Sequence, residues 1–279
     1  MITHLLDPVA VSDPYQVYRE LREHAPITWL PEHRAWFIAT HDEVDAAFRD
    51  QRLSSDRLTP LESRLAPETR ELLGETFRLL RGWMVFHDPP GHERLRGPVR
   101  RAFTPRAVEA LREPVVGIVD RHLDHVEARL RDGATVDLVR ELAFPVPAIV
   151  IAELLGVPAD DRDEFKTWSD QLSAIVFGAS NRPDQAATAA EGSARFAEDF
   201  TALIDHYRSN PADNLVSALI EAAEVADPAL TADELVGACT LLLFGGHETT
   251  TNLIGNTVHS LLTHRDQHRR FVDDVDGRS

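Results

Sequence analysis

The sequence predicts a mainly α-helical fold with one small β-hairpin, and three observations carry that prediction. Beyond Pro105, apolar residues recur three and four apart almost throughout. Only one pair of β-prone runs stands out, Ile27-Thr28-Trp29-Leu30 and Ala35-Trp36-Phe37-Ile38-Ala39. A capping box at Thr231-Ala232-Asp233-Glu234 opens an uninterrupted helical pattern that runs to about His264. A chain of 279 residues can bury a sizeable core, and no repeat, low-complexity tract or linker divides it, so it reads as a single domain over 1–279.

Each element follows from local pattern. Tyr15, Val17, Tyr18 and Leu21 form a helical stripe over Pro14 to His24, and the two β-prone runs flank Pro31-Glu32-His33-Arg34 as a hairpin. His41 to Asp50 is helical, with Val44, Ala47 and Phe48 on one side. From Gln51 to Phe86 the period weakens, apart from a helix expected over Pro67 to Leu80. Val108 to Arg131 is a long amphipathic helix that Pro114 should interrupt. Pro145 to Leu155 is an apolar helix closed by Gly156-Val157-Pro158, where a glycine past the last turn and a following proline are stop signals. Asp160 to Phe177 and Ala186 to Ser209 are helices around a loop at Gly178 to Gln185, and Asn214 to Ala226 is a short helix. The capped pattern after Thr231 is roughly 50 Å long at ~1.5 Å per residue. Because Leu235 to Phe244 is apolar on every side, this helix should cross the interior.

Composition excludes several classes of function. Lysine and arginine total 29 against 46 acidic residues, a net charge of −17, which argues against nucleic acid or an anionic membrane as partner. The single cysteine, Cys239, permits no intrachain disulfide, and the N-terminus lacks a basic region followed by an apolar stretch. The expectation is a cytoplasmic protein with no membrane segment.

Two constellations carry chemistry. The first is Gly245-Gly246-His247-Glu248-Thr249-Thr250-Thr251, in the middle of the long helix. Glycines and threonines are poor helix formers, so the helix is weak where burial is expected to be deepest. The Thr249 hydroxyl can reach the carbonyl of Gly245, and the two glycines leave room for a flat ligand. Glu248 would be a charge deep in the molecule, which is costly unless it is paired or carries protons. The competing structural reading has the glycines admit a second helix and Glu248 form a buried ion pair. A zinc site of the His-Glu-x-x-His type fails, because Thr251 stands where the second histidine is required, and no metal site is expected.

The second constellation is Phe86-His87-Asp88-Pro89-Pro90-Gly91-His92-Glu93-Arg94-Leu95-Arg96, followed by Arg100, Arg101 and Arg106. A helix starting at the prolines puts His92, Arg96 and Arg100 on one face, a row suited to an anion. The competing reading is a solvated face with scattered ion pairs, and Gly97-Pro98 should kink the segment.

The two constellations, in this order, resemble the cytochrome P450 family of bacterial haem-thiolate monooxygenases. The resemblance extends to Leu53-Ser54-Ser55-Asp56-Arg57, Ala102-Phe103-Thr104-Pro105, Ile151-Ala152-Glu153-Leu154-Leu155-Gly156-Val157-Pro158 and Asn214-Leu215-Val216-Ser217-Ala218-Leu219, so it covers nearly the whole chain. It implies that His92 and Arg96 hold haem propionates, that Gly245 and Gly246 lie beside the porphyrin, and that Glu248 and Thr249 deliver protons during oxygen reduction. It further implies hydroxylation or epoxidation of a small apolar substrate, with an acidic ferredoxin docking at Arg100, Arg101 and Arg106. The family's Glu-x-x-Arg helix and the glycine-rich loop bearing the iron-ligating cysteine do not follow the long helix here. Cys239 precedes the glycines and does not occupy that role. The expected architecture is therefore P450-like but without the C-terminal haem-ligand region, as in a truncated enzyme. A second reading is a haem-free relative acting as an auxiliary partner of another enzyme.

Overall fold

The computed structural model describes residues 13–31, 34–158, 167–168, 171–172, 176 and 183–274. The chain divides into two compact units, Met1–Ser55 and Asp56–Ser279.

In the first unit, helix α1 (Pro14–His24) is followed by strands β1 (Ile27–Leu30) and β2 (Ala35–Ile38) and helix α2 (His41–Arg49). Proline in the first turn of α1 costs nothing there, because that N–H has no partner in a helix, and Leu21 is fully buried. The strands pair antiparallel with Trp29 opposite Trp36, their rings 5.4 Å apart. Arg34 at φ 48° takes the left-handed conformation that turns the chain into β2, and its N–H donates to the Pro31 carbonyl. Both boundaries of α1 and the strand pairing agree with the sequence reading.

The second unit is helical. Its first part holds α3 (Leu58–Arg64), α4 (Pro67–Leu72), α5 (Gly74–Leu80), a 3-10 turn (Met84–Phe86), α6 (Gly91–Ala102), α7 (Pro105–Ala110) and α8 (Arg112–Arg131). A π-helical turn (Val139–Ala143) leads to α9 (Pro145–Leu155), then α10 (Pro183–Ser209), α11 (Leu215–Glu224), α12 (Ala232–Thr263) and α13 (Arg265–Asp273). Trp83, Phe77, Phe196 and Phe200 are the largest fully buried side chains, and α9 and α10 pack on α12 around them.

Several expectations need correction. The helix over Pro67 to Leu80 is two helices that meet at Leu73 and Gly74. Helix α3 was not legible from periodicity. It is started by Asp56, whose Oδ1 accepts from the backbone N–H of Leu58 and of Thr59. The long amphipathic segment breaks at Leu111, and Pro114 sits in the first turn of α8, where its missing N–H leaves no bond unmade. Helix α6 runs on through Gly97 and Pro98. Gly156 at φ 80° closes α9 as expected. The helix expected at Asp160 to Phe177 and most of the loop at Gly178 to Gln185 lie outside the described residues, although 167–168, 171–172 and 176 are helical and α10 begins at Pro183.

Only the first half of α12 crosses an interior. Leu235 to Thr240 are all buried, whereas Leu253 and Leu262 are more than half exposed. No described helix is long and apolar enough to cross a membrane.

Candidate functional site

The site is built on the first four turns of α12, which are pinned to the segment before α6 by contacts repeating at helical spacing. At the first turn, Thr231 and Glu234 form the expected capping box, with the Glu234 backbone N–H donating to Thr231 Oγ1 and Glu234 Oε2 accepting from the Thr231 N–H at 2.9 Å. Two arginines reach the same turn from different elements. Arg78 of α5 pairs with Asp233, and Arg94 of α6 pairs with both carboxylate oxygens of Glu234. One turn on, Gly237 lies against Gly82 so closely that a Cβ at Gly237 would stand 2.4 Å from the Gly82 Cα. Next, Trp83 Nε1 donates to Thr240 Oγ1 at 3.0 Å, and that hydroxyl donates to the Gly237 carbonyl at 2.9 Å. The Trp83 ring then meets Phe244 at 5.0 Å. Phe244 immediately precedes the glycines, so this ladder sets where they lie.

The Arg94 guanidinium, together with the Thr231 N–H, holds the Glu234 carboxyl down to about 2 against the opposing effect of burial. A group whose folded value is lowered stabilises the fold fully above its unfolded value, near 4.5, and loses that contribution as pH falls toward 2. Glu234→Gln is expected to cost about 1 kcal/mol at neutral pH and to flatten the stability curve between those two values. Urea denaturation at a series of pH values checks this, and an unchanged acid limb would remove Glu234 from the linkage.

The Gly-Gly-His-Glu-Thr-Thr-Thr stretch stays α-helical, and its residues divide between two faces. Around Gly245 there is open space: apart from its own stretch of helix, no atom of the described residues lies within 4 Å of the position a Cβ would take. Gly246 instead faces α9, where a Cβ would meet the Ile151 side chain at 2.8 Å. One glycine therefore admits a neighbouring helix, and the other opens a notch. His247 is buried, with Nδ1 donating to the Leu243 carbonyl at 3.1 Å and Phe144 edge-on to its ring at 5.8 Å. Thr249 is exposed, and its hydroxyl donates to the Gly245 carbonyl at 2.7 Å, the bond expected from the sequence. Thr250 makes the matching bond to Gly246 at 3.0 Å.

Glu248 departs from expectation. It is not deep in the molecule: its side chain is 38% exposed. Its Oε1 accepts from Asn252 Nδ2 at 3.4 Å, and among the described residues its ion-pair partner is His247 at 4.0 Å. The ion pair of the competing reading is reduced to this long contact between buried His247 and half-exposed Glu248, and Gly245, Glu248, Thr249 and Asn252 share the open side of the helix. Among the described residues, no three histidine, cysteine or acidic side chains cluster as metal ligands. Cys239 is fully buried, and burial pushes its thiol up to about 12, so it presents no thiolate to a ligand.

On α6, the His92 backbone N–H donates to the Asp88 carbonyl at 3.1 Å, opening the helix where the prolines predict. Leu95, Pro98, Val99 and Ala102 are buried on one side. His92 is one-third exposed, while Arg96, Arg100, Arg101 and Arg106 are exposed and form no ion pair with a described residue. Arg94 is the exception within the basic run, being committed to Glu234. Helices α6 and α12 thus meet at Arg94 and Glu234, and Gly245 lies roughly 16 Å farther along α12 at ~1.5 Å per residue. This tie was missed at the sequence level. Its one signal was the acidic residue at the third position of the capping box, which a distant arginine can share.

No protein-family model matches the chain. Among curated proteins, it is 38% identical over 268 residues to the vitamin D(3) 25-hydroxylase of Pseudonocardia autotrophica, covering 94% of this chain and 61% of that protein. It is 39% identical over 262 residues to the cytochrome P450 monooxygenase PikC of Streptomyces venezuelae, covering 92% and 58%. The chain therefore spans about three fifths of the length of these relatives. Among solved structures, the myxobacterial cytochrome P450 CYP267B1 in complex with myristic acid superposes with a TM-score of 0.82 at 32% identity, covering 99% of this chain and 67% of that one. With sequence and fold in agreement over nearly every residue, the chain belongs to the cytochrome P450 family.

Proposed function

We propose that this chain forms the distal, substrate-side part of a haem-dependent monooxygenase that hydroxylates or epoxidises a small apolar molecule. The observation that carries the reading is the open notch at Gly245, bordered by Thr249 and the half-exposed Glu248, on a helix tied directly to the one bearing His92 and Arg96. The residues present fit one face of a haem. Arg96 and His92 would hold its two carboxylates, and Gly245, lacking a side chain, would let the flat macrocycle approach the helix. Gly246 serves the fold through Ile151 instead, so it supports the site only indirectly. The fit ends at the proximal side, because Cys239 is sealed in the core.

Haem, when bound to a thiolate, supplies the iron at which dioxygen is reduced. The chain's own part is proton handling and positioning. Glu248 reaches solvent and can take up a proton, Asn252 orients its carboxylate, and Thr249 Oγ1 is held in place by the Gly245 carbonyl. The exposed Arg100, Arg101 and Arg106, bound to no described carboxylate, suit an acidic ferredoxin-type electron donor. The names of the relatives, a hydroxylase and a monooxygenase, support the reaction class.

Titrating the chain with haem and following its absorbance tests the reading. Saturable uptake is expected, weakened about tenfold by Arg96→Ala, since a charge-assisted contact is worth ~1.5 kcal/mol. Gly245→Leu is expected to block uptake while leaving stability equal or higher, because leucine is the better helix former by several tenths of a kcal/mol. The reduced carbon monoxide complex should lack the thiolate-type band. Uptake indifferent to both substitutions would overturn the site, and no uptake at all would favour the haem-free auxiliary partner.

A further inference from the structure

Arg57 stands at the start of α3, where the bonds of Asp56 to the Leu58 and Thr59 N–H groups set its backbone. Its side chain is exposed and forms no ion pair with a described residue, yet its guanidinium carbon lies 4.8 Å from the centre of the Phe86 ring. Phe86 is buried, and its ring also stacks on Trp83 with an interplanar angle of 8°. A cation and an indole therefore both hold this ring. The next residue is fixed as well: the His87 backbone N–H donates to the Met84 carbonyl at 3.2 Å, and His87 Nε2 donates to the Arg81 carbonyl at 2.7 Å. The His87 ring reaches forward to the first residue of α6, since a Cβ at Gly91 would stand 3.3 Å from His87 Nδ1. His92 follows Gly91 directly, and the 3-10 turn that ends at Phe86 packs on α6.

We infer that Arg57 is a positioning residue for His92: by holding the Phe86 ring it fixes the segment that feeds α6, and with it the placement of the His92 imidazole at the proposed haem seat. The inference rests on the reading of His92 as a holder of a haem carboxylate. Arg94 ties the body of α6 to α12 through Glu234, whereas Arg57 acts on the entry to the helix, just before His92. An exposed cation over a ring adds little to the stability of the whole fold, so its effect should be read locally. Neither Arg57 nor Phe86 needs to touch the haem for this.

Two measurements on the 279-residue chain test the inference. In the haem-free chain, the nuclear magnetic resonance signals of the His92 ring, assigned with His92→Ala, should shift with Arg57→Ala and with Phe86→Leu. They should largely return with Arg57→Lys, which keeps the cation. In haem titrations, Arg57→Ala should weaken uptake about two- to fivefold, the range of an exposed cation–π contact, and should have little effect once His92 is alanine. A contact that serves only the fold would lower the urea midpoint and leave the His92 ring signals in place. Unmoved signals would overturn the inference whether or not haem is taken up. So would uptake that responds to His92→Ala but not to Arg57→Ala, or an Arg57→Ala loss that persists in full in the His92→Ala background. Uptake indifferent to both His92→Ala and Arg96→Ala would instead overturn the haem reading, with the His92 signals still deciding the role of Arg57.

Discussion

Trp83→Ala is expected to lower the unfolding free energy by about 4 kcal/mol, the range typical of truncating a buried aromatic side chain. Three losses combine. The side chain is 1% exposed, so its removal returns transfer free energy and leaves a cavity. Its ring stacks on Phe86 at 5.9 Å and meets Phe244 at 5.0 Å, contacts that add to simple burial. Its N–H bond to Thr240 disappears, although Thr240 keeps its own bond to the Gly237 carbonyl. Trp83→Phe separates these effects, since it preserves most of the packing and gives up the N–H, at an expected cost of about 1 to 2 kcal/mol. Urea denaturation followed by far-ultraviolet circular dichroism, which does not depend on the tryptophan removed, measures both. A loss below about 1.5 kcal/mol for the alanine variant would mean the pocket collapses around the vacancy and that Trp83 does not hold α12 in place.

Gly237→Ala is the second large effect, at about 3 kcal/mol, and it runs against helix propensity. Alanine in a helix interior is ordinarily worth about 1 kcal/mol over glycine. Here the added methyl would lie 2.4 Å from the Gly82 Cα and 2.7 Å from the Gly82 carbonyl carbon. Both obstacles are backbone, so no side-chain rotation relieves them and the two segments must separate. Gly82→Ala meets Gly237 Cα at 2.7 Å from the other side, and the double substitution should cost less than the sum, because the first has already parted the segments. Gly97→Ala in α6, where no described atom outside its own stretch of helix lies within 4 Å, supplies the control and should be neutral or stabilising by up to ~1 kcal/mol. Additive losses at Gly82 and Gly237 would show that the contact is not shared.

How far the sequence could be read depended on whether the controlling interaction was local. Helices α1, α9 and α12 were legible because their signals are local: the stripe of Tyr15, Val17, Tyr18 and Leu21, the stop at Gly156, and the Thr231 to Glu234 box. Helix α3 was not, because its start rests on a single aspartate, Asp56, amid intermixed arginine and leucine. The break at Leu111 was placed at Pro114 for a similar reason, since a proline reads as an interruption until it is known to fall in a first turn. At the candidate site, the Thr249 bond to Gly245 follows from a four-residue spacing and was foreseen. The different surroundings of Gly245 and Gly246, and the exposure of Glu248, depend on where α9 packs, and no spacing within α12 encodes that.

The sealed state of Cys239 has a practical corollary. With the native thiol closed to reagents, a cysteine introduced at the surface becomes the sole labelling point, and the wild-type core needs no prior alteration. Spin labels on Arg96→Cys and Thr249→Cys would report the separation between the two halves of the proposed haem seat directly, as a distance distribution in solution.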